Sequence, residues 1–373
     1  MLNEKKIFCI VATNGQSLIN FRGSFIRALV NRGFRVVCVS IESKDEMGEG
    51  IRSLGAKYIQ VSGNRTGIGL FDGLRMIAAY KRLFKVLKPH HVFLYMSKPI
   101  AFGGIAAILA KVPHISILVN GLENAYYRVG LKDTLVRAVM SFFYKLVAAH
   151  SDNVFFQNHD DQQYFITHGL LTRRNSCVIG GSGVDMEYFK HEPMPQGAVV
   201  LMTARLLWSK GIREFFAAVK EVKTRHPEVQ VLLVGGLDDN DEAITKEQLD
   251  AFIRENDVEY CGFTKDVRPY LKRCSIFVLP SYHEGLPRSV IEAMAVGRPI
   301  ITTDVPGCRE TVQDGFNGYL VPPRDSTYLA EKITELVENE EVREKMGAFS
   351  FALCSQLFDV QKVNQEIISH AGL

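Results

Sequence analysis

The chain has 373 residues, 47% of them hydrophobic and 23% charged, an ordinary globular composition that leaves room for one to three domains. No run of 18 or more apolar residues occurs, so no spanning helix is expected. The seven cysteines, an odd number scattered singly with no C-x-x-C, speak against a disulfide framework. The net charge of +3 hides a split: residues 1–190 carry 24 Lys and Arg against 13 Asp and Glu, and residues 191–373 carry 20 against 28. A basic half suggests an anionic surface or ligand. No helix-turn-helix, zinc or aromatic RNA-binding pattern accompanies it, so a membrane or a phosphate-bearing acceptor is preferred to nucleic acid.

Met1 to Lys6 lead directly into a strand-like run, too early for a signal peptide, and a reduced cytoplasmic protein is the expectation. Strands are predicted over Lys6–Ala12, Phe34–Ile41, Lys57–Val61, His91–Tyr95, His114–Val119 and Asn153–Gln157. Helices are predicted between them over Phe21–Asn31, Leu70–Leu87, Ile100–Ala110, Leu131–Ala149 and Gln162–His168. Gly180 to Gly197, with GGSG, two prolines and no apolar period, reads as a linker. The alternation then restarts, with strands over Ala198–Thr203, Gln230–Val234, Glu259–Gly262, Ile276–Pro280, Pro299–Thr303 and Tyr319–Val321, and a helical tail from about Ser326. Alternation of this kind implies parallel sheets covered on both faces. The expected class is therefore α/β, with two doubly wound domains over 1–182 and 198–373 and a linker at 183–197. The last helix is a candidate to pack back on the first domain.

Two motifs in the second domain carry chemistry. After its first strand comes Ala204-Arg205-Leu206-Leu207-Trp208-Ser209-Lys210-Gly211, then the helical IREFFAAV. A cation at a helix start opposes the macrodipole, and an anion bound between Arg205 and Lys210 is the usual justification. After Ile276–Pro280 comes Ser281-Tyr-His-Glu284-Gly-Leu-Pro-Arg-Ser-Val-Ile-Glu292. Gly285 and Pro287 break the strand, Pro287 is placed as first helical residue, and the helix is expected to stop at Gly297. Glu284 thus lies at a strand's carboxyl end, where open α/β sheets bind ligands, and Glu292 about 7–8 Å further along the helix. A carboxylate on either side of a helix start suits a nucleotide sugar: hydroxyls at each Glu, diphosphate at the free N–H groups.

A-R-L-x-x-x-K-G followed by E-x7-E in the second of two Rossmann-like domains resembles the retaining family-4 glycosyltransferases. The blocks LVRAVMSFFYKL, LMTARLLWSKGIREF, LLVGGLDDN and IFVLPSYHEGLPRSVIEA resemble its bacterial polyprenyl-diphosphate-sugar α-1,3-N-acetylgalactosaminyltransferase subgroup. The resemblance covers essentially the whole chain and implies GT-B architecture, two Rossmann-like domains facing a cleft. It further implies that Arg205 and Lys210 neutralise a UDP-sugar's diphosphate, that Glu284 lies beside the donor sugar and that Glu292 holds the ribose hydroxyls. Gly285, Leu286 and Pro287 would supply backbone near the phosphates, and Phe263, in Gly262-Phe263-Thr264, the place of the uracil. Many relatives have a His before the Gly that follows the fifth strand. Here the run is Val119-Asn120-Gly121-Leu122-Glu123, and Asn120 can hydrogen-bond a donor sugar but cannot act as a base.

In the first domain, Thr13-Asn14-Gly15-Gln16-Ser17 lacks G-x-G-x-x-G, yet its Gly15 loop can approach a diphosphate, and Arg22 and Lys98 are candidates for acceptor phosphate. Asp239-Asn240-Asp241 resembles a metal-binding D-x-D but is better read as helix N-capping. His90-His91 lacks partners for a metal, and His283 adjoins the sugar pocket. No metal or other cofactor is expected. Helix Leu74–Lys88 carries Arg75, Lys81, Arg82, Lys85 and Lys88 around Ile77, Leu83, Phe84 and Leu87. With Leu131–Ala149 it suggests docking on the inner face of the cell membrane.

The sequence reading is a cytoplasmic, peripheral-membrane, metal-independent retaining transferase. It would move an N-acetylhexosamine from a UDP-sugar to a polyprenyl-diphosphate-linked saccharide in O-antigen-like polysaccharide or glycan assembly. Two alternatives remain: a UDP-sugar 2-epimerase of the same architecture, and a non-catalytic nucleotide-sugar-binding membrane module.

Overall fold

A computed structural model describes residues 5–63, 70–122, 126, 130–171, 175–238, 240 and 242–373. Two compact units emerge. The first runs to Ser182 and takes in Gln361–Leu373, and the second is Gly183–Val360.

The first unit holds β1 (Ile7–Val11), β2 (Arg35–Ser40), β3 (Lys57–Gln60), β4 (His91–Tyr95), β5 (His114–Val119), β6 (Asn153–Phe156) and β7 (Ser176–Val178). They form one parallel sheet in the order β3-β2-β1-β4-β5-β6-β7. Successive side chains of a strand point to opposite faces. Phe8 and Ile10 therefore enter one core with Phe25, Leu29 and Ile51, and Cys9 and Val11 enter another with Met76, Tyr80 and Phe84. The terminal helix Val360–His370 seals the first of these cores with Val363, Ile367 and Ile368, and Asn364 donates to the Ser24 hydroxyl at 3.0 Å.

The second unit holds β8 (Val199–Thr203), β9 (Gln230–Val234), β10 (Glu259–Gly262), β11 (Ile276–Leu279), β12 (Ile300–Thr303) and β13 (Gly318–Val321). Their parallel order is β10-β9-β8-β11-β12-β13. In each sheet the order reverses beside the unit's first strand, at β1/β4 and at β8/β11. A doubly wound sheet opens a crevice at that switch point.

Several boundaries differ from the sequence reading. The segment read as a linker is part of the second unit's packing. Val184 and Phe189 are buried, the Val184 N–H donates to the Phe358 carbonyl at 2.7 Å, and the Val360 N–H donates to the Val184 carbonyl at 2.9 Å. Phe21–Asn31 starts two residues later, as Gly23–Asn31, a separate short helix Gly15–Asn20 precedes it, and Lys44–Ser53 adds a helix with a Ser43/Glu46 capping box. Gln162–His168 begins earlier, as His159–Thr167, because Asn158 caps it by accepting from the Asp161 N–H. Helix Ile100–Ala110 opens with a π turn, Pro99–Gly103. Such turns recur at functional sites. The short edge strand β7 has no alternating pattern long enough to read.

Candidate active site

The second unit's switch point gathers most of the candidate residues. Buried β8 and β11 deliver two turns to the same sheet edge, Arg205–Gly211 and Ser281–Pro287. The Tyr282 N–H donates to the Ser209 carbonyl at 2.9 Å, tying one turn to the other. Gly211, with φ +73°, ends the 3-10 turn Trp208–Lys210. A Cβ there would lie 2.0 Å from the Pro280 carbonyl oxygen, so only glycine lets the turn approach β11 this closely.

That approach brings Lys210 Nζ to 2.5 Å from Glu284 Oε1, with the two side chains only 18% and 14% exposed. The Ser281 hydroxyl donates to the same oxygen at 2.9 Å. The cation before the helix start, for which the sequence reading offered a bound anion, is paired within the protein with Glu284. Behind the turn, the Glu284 N–H donates to the Pro306 carbonyl at 3.2 Å, and Gly307 (φ +78°) packs where a Cβ would lie 2.3 Å from the Glu284 carbonyl oxygen. The sequence reading missed this Val305-Pro306-Gly307 support. A Pro-Gly three residues after a strand was its available signal.

Helix Arg288–Ala295 starts one residue later than expected. Pro287 has ψ 108° and is the N-cap, not the first helical residue, and its side chain makes no capping bond. Glu292 is not a solvated helical residue: it is 14% exposed and accepts from Arg288 Nε at 2.8 Å. Burial pushes the Glu292 carboxyl above its ordinary range, and Arg288 pulls it back. Arg205, 65% exposed, pairs with Asp238 at 3.1 Å. Burial lowers the His283 imidazole, against the pull of Glu284, and so favours its neutral form.

Phe263 stands exposed beyond β10, next to Gly236, and the Gly235 N–H donates to the Gly262 carbonyl at 2.9 Å. Asp239 and Asp241 lie outside the described residues. The helix after them, Lys246–Asn256, is capped by Thr245 in a capping box with Gln248, which corrects the N-capping expectation for the D-x-D. Among the described residues no group of three or more His, Cys, Asp or Glu is placed to hold a metal ion.

In the first unit the switch-point turns follow β1 and β4. Asn14 caps the helix Gly15–Asn20, and the Gly15 N–H donates to Glu42 Oε2 at 2.9 Å. Arg22, the candidate for acceptor phosphate, is buried. It is 1% exposed, donates to the Gly181 carbonyl at 3.4 Å, and stacks over the Tyr95 ring at 5.6 Å. After β4, Met96 takes a left-handed backbone (φ 69°) and donates its N–H to Asn120 Oδ1 at 3.3 Å. Such a conformation in a non-glycine residue is strain that surrounding contacts must hold. Lys98, half-buried, follows two residues later. Glu123 lies outside the described residues.

The basic helix Leu70–Leu87 presents Arg82 and Lys85 to solvent but turns Phe84 into the core, with Ile77, Leu83 and Leu87 partly buried against it. Those four apolar residues are thus packing groups, which corrects their reading as a docking face. That helix exposes Phe71, Leu74 and Val86 instead, and a longer exposed apolar stripe lies on Leu131–Ala148: Leu131 (94% exposed), Leu135, Val139 and Phe142 follow at helical spacing, beside Lys132 and Arg137. No helix of the described residues is long and apolar enough to cross a membrane.

Comparison with known proteins agrees with this geometry. The family described as glycosyl transferases group 1 matches residues 185–351, and glycosyl transferase 4-like matches residues 7–158. The chain is 32% identical over 343 residues to N,N'-diacetylbacillosaminyl-diphospho-undecaprenol alpha-1,3-N-acetylgalactosaminyltransferase of Campylobacter jejuni, covering 88% of this chain and 89% of the relative. It is 25% identical over 382 residues to the capsular polysaccharide biosynthesis glycosyltransferase CapM of Staphylococcus aureus, covering 99% and 97%. Among solved structures it resembles Anabaena Alr3699/HepE in complex with UDP and glucose, with a TM-score of 0.78 at 20% identity and 98% of each chain covered. It likewise resembles a sucrose-phosphate synthase from Thermosynechococcus elongatus, with a TM-score of 0.79 at 18% identity and 98% of each chain covered. At such identities the structures speak for the fold, and the fold is GT-B. With both halves matched by the family and a full-length relative above 30% identity, the chain belongs to the retaining family-4 glycosyltransferases, which take their sugar from a nucleotide-sugar donor.

Proposed function

We propose that this enzyme moves an N-acetylhexosamine from a UDP-sugar to a saccharide carried on a polyprenyl diphosphate, in the assembly of a surface polysaccharide or glycan. The near full-length similarity to a transferase whose name states that donor sugar and that lipid-linked acceptor carries the reading. The site chemistry supports it. Charge develops on the departing diphosphate, and Lys210, Arg205 and the start of helix Arg288–Ala295 offer positive groups already held in place. Gly285, Leu286 and Pro287 give backbone to the phosphates, Glu292 takes the ribose hydroxyls, and Phe263 takes the uracil. Glu284 takes the donor sugar, with Asn120 a further hydrogen-bonding group for it. Gly15, Lys98 and the buried charge of Arg22 are the acceptor-side groups. Positive side chains supply the electrostatic role, so the reaction is proposed to need no metal.

The exposed Leu131, Leu135 and Phe142, set among cations, support docking of the first unit on an anionic membrane. The test is a donor screen that measures UDP release, with membrane lipid extract as acceptor and EDTA in parallel reactions. Release that requires the extract and survives EDTA is expected. Acceptor-independent release would replace the reading with a 2-epimerase, and donor binding without release would replace it with a binding module.

A further inference from the structure

Glu284 has two carboxylate oxygens, and the protein treats them differently. Oε1 accepts from Lys210 Nζ at 2.5 Å and from the Ser281 hydroxyl at 2.9 Å. No described residue donates to Oε2. Ser281 is itself fully buried, and its carbonyl accepts from the hydroxyl of Thr303 on β12. Its position is therefore fixed by the sheet rather than by solvent. A single lysine contact leaves a carboxylate free to rotate about its terminal torsion, because an ammonium is a point charge without a plane. A second donor, from a fixed direction on the same oxygen, removes that freedom.

We propose that Ser281 is a positioning residue for the transfer reaction. By sharing Oε1 with Lys210 it sets the carboxylate plane so that Oε2 is left to accept from a hydroxyl of the donor sugar. Ser281 touches no substrate in this account and acts only through Glu284. The inference rests on the reading of this site as the donor site.

The test is a double-mutant cycle with UDP-N-acetylgalactosamine as donor and lipid extract as acceptor, alongside calorimetric titration of UDP alone. Ser281→Ala is expected to lower kcat/KM about 10-fold or more, the range for losing a hydrogen bond to a charged group. In a Glu284→Gln background the same change is expected to cost less than about twofold, since a residue acting through another has nothing left to position. UDP lacks the sugar, so its affinity should be the same in wild type and Ser281→Ala. Additive losses in the cycle would overturn the proposal, as would an unchanged rate in Ser281→Ala. Equal loss of UDP affinity would make Ser281 a general support of the turn and overturn it too. A wild-type chain that neither binds UDP nor uses this donor would sink the donor reading, and the role of Ser281 with it.

Discussion

The two sheets reverse their order at equivalent places, yet the turns there are built from different chemistry. At β8/β11 the polar groups are ion pairs: Lys210 with Glu284, Arg288 with Glu292, and Arg205 with Asp238. At β1/β4 the described contacts include Ser17 with Tyr95 at 2.8 Å, Met96 N–H with Asn120, Gly15 N–H with Glu42, and the Arg22 guanidinium over the Tyr95 ring. The shared topology supplies a crevice in both units, and the side chains on the turns decide what it can hold. Paired charges keep the second site assembled, and in the proposed function they are the partners that an incoming diphosphate and its sugar would exchange with. The first site satisfies its own backbone and keeps a strained turn in front of Lys98.

The largest expected effect lies in the charged site. Lys210→Ala should lower turnover about a thousand-fold, roughly 4 kcal/mol at 1.36 kcal/mol per decade, measured by UDP release. It should also lower the melting temperature, because Glu284, 14% exposed, loses its counter-charge. Full activity in a folded variant would remove the ion pairs from the mechanism and erase the contrast between the units.

The basic surface of the first unit offers a second contrast. Changing Lys81, Arg82 and Lys85 together to Gln should weaken binding to anionic vesicles about 100-fold at low salt, ~3 kcal/mol at about 1 kcal/mol per cation. Co-sedimentation measures it. Kinetics on a short-chain, water-soluble acceptor should be spared, and equal loss on both acceptors would place these cations in the catalytic site.

Glycine substitutions should rank the two turns by rigidity. Gly307→Ala combines a left-handed backbone with a backbone oxygen at 2.3 Å and should cost about 2–3 kcal/mol in denaturant unfolding. Gly15→Ala meets first the Ser40 hydroxyl and the flexible Met47 side chain, at 2.7 and 2.8 Å, and should cost nearer 1 kcal/mol. Equal costs would mean that both turns are held equally hard.

The amino ends of the strands differ too. His90, His91 and His114 cluster at the base of the first sheet, with Lys6 beside them and His114 Nδ1 3.6 Å from Asp152. Burial above all, then His114 and His90, holds the His91 imidazole down to about 3 from its ordinary 6.5. The unfolded chain therefore binds a proton that the folded unit refuses. The stability this represents is present above pH 6.5 and is lost as pH falls below it, by about 2 kcal/mol at pH 5. Trp208 is the single tryptophan and lies in the second unit. At pH 5 the melting followed by circular dichroism should fall further than that followed by Trp208 fluorescence. His91→Asn should narrow the gap.

Much of this was legible in the sequence because the signals are local. Buried parallel strands are continuous apolar runs, so His91–Tyr95 and His114–Val119 were located to the residue, and a strand followed by Gly and Pro marked the Glu284 turn. The charges at fixed spacing, Arg205 with Lys210 and Glu284 with Glu292, identified the family. Tertiary structure alone decided which partner each charge takes. Arg22 and Arg82 are both arginines in basic surroundings, yet one is buried over the Tyr95 ring and the other is solvated. Pairings such as Lys210 with Glu284, 74 positions apart, follow from two strands lying side by side in a parallel sheet. The support of Glu284 by Pro306 and Gly307 arises the same way, one strand further across. Period and propensity act over a few residues, whereas burial and charge pairing depend on the neighbours that the sheet order supplies.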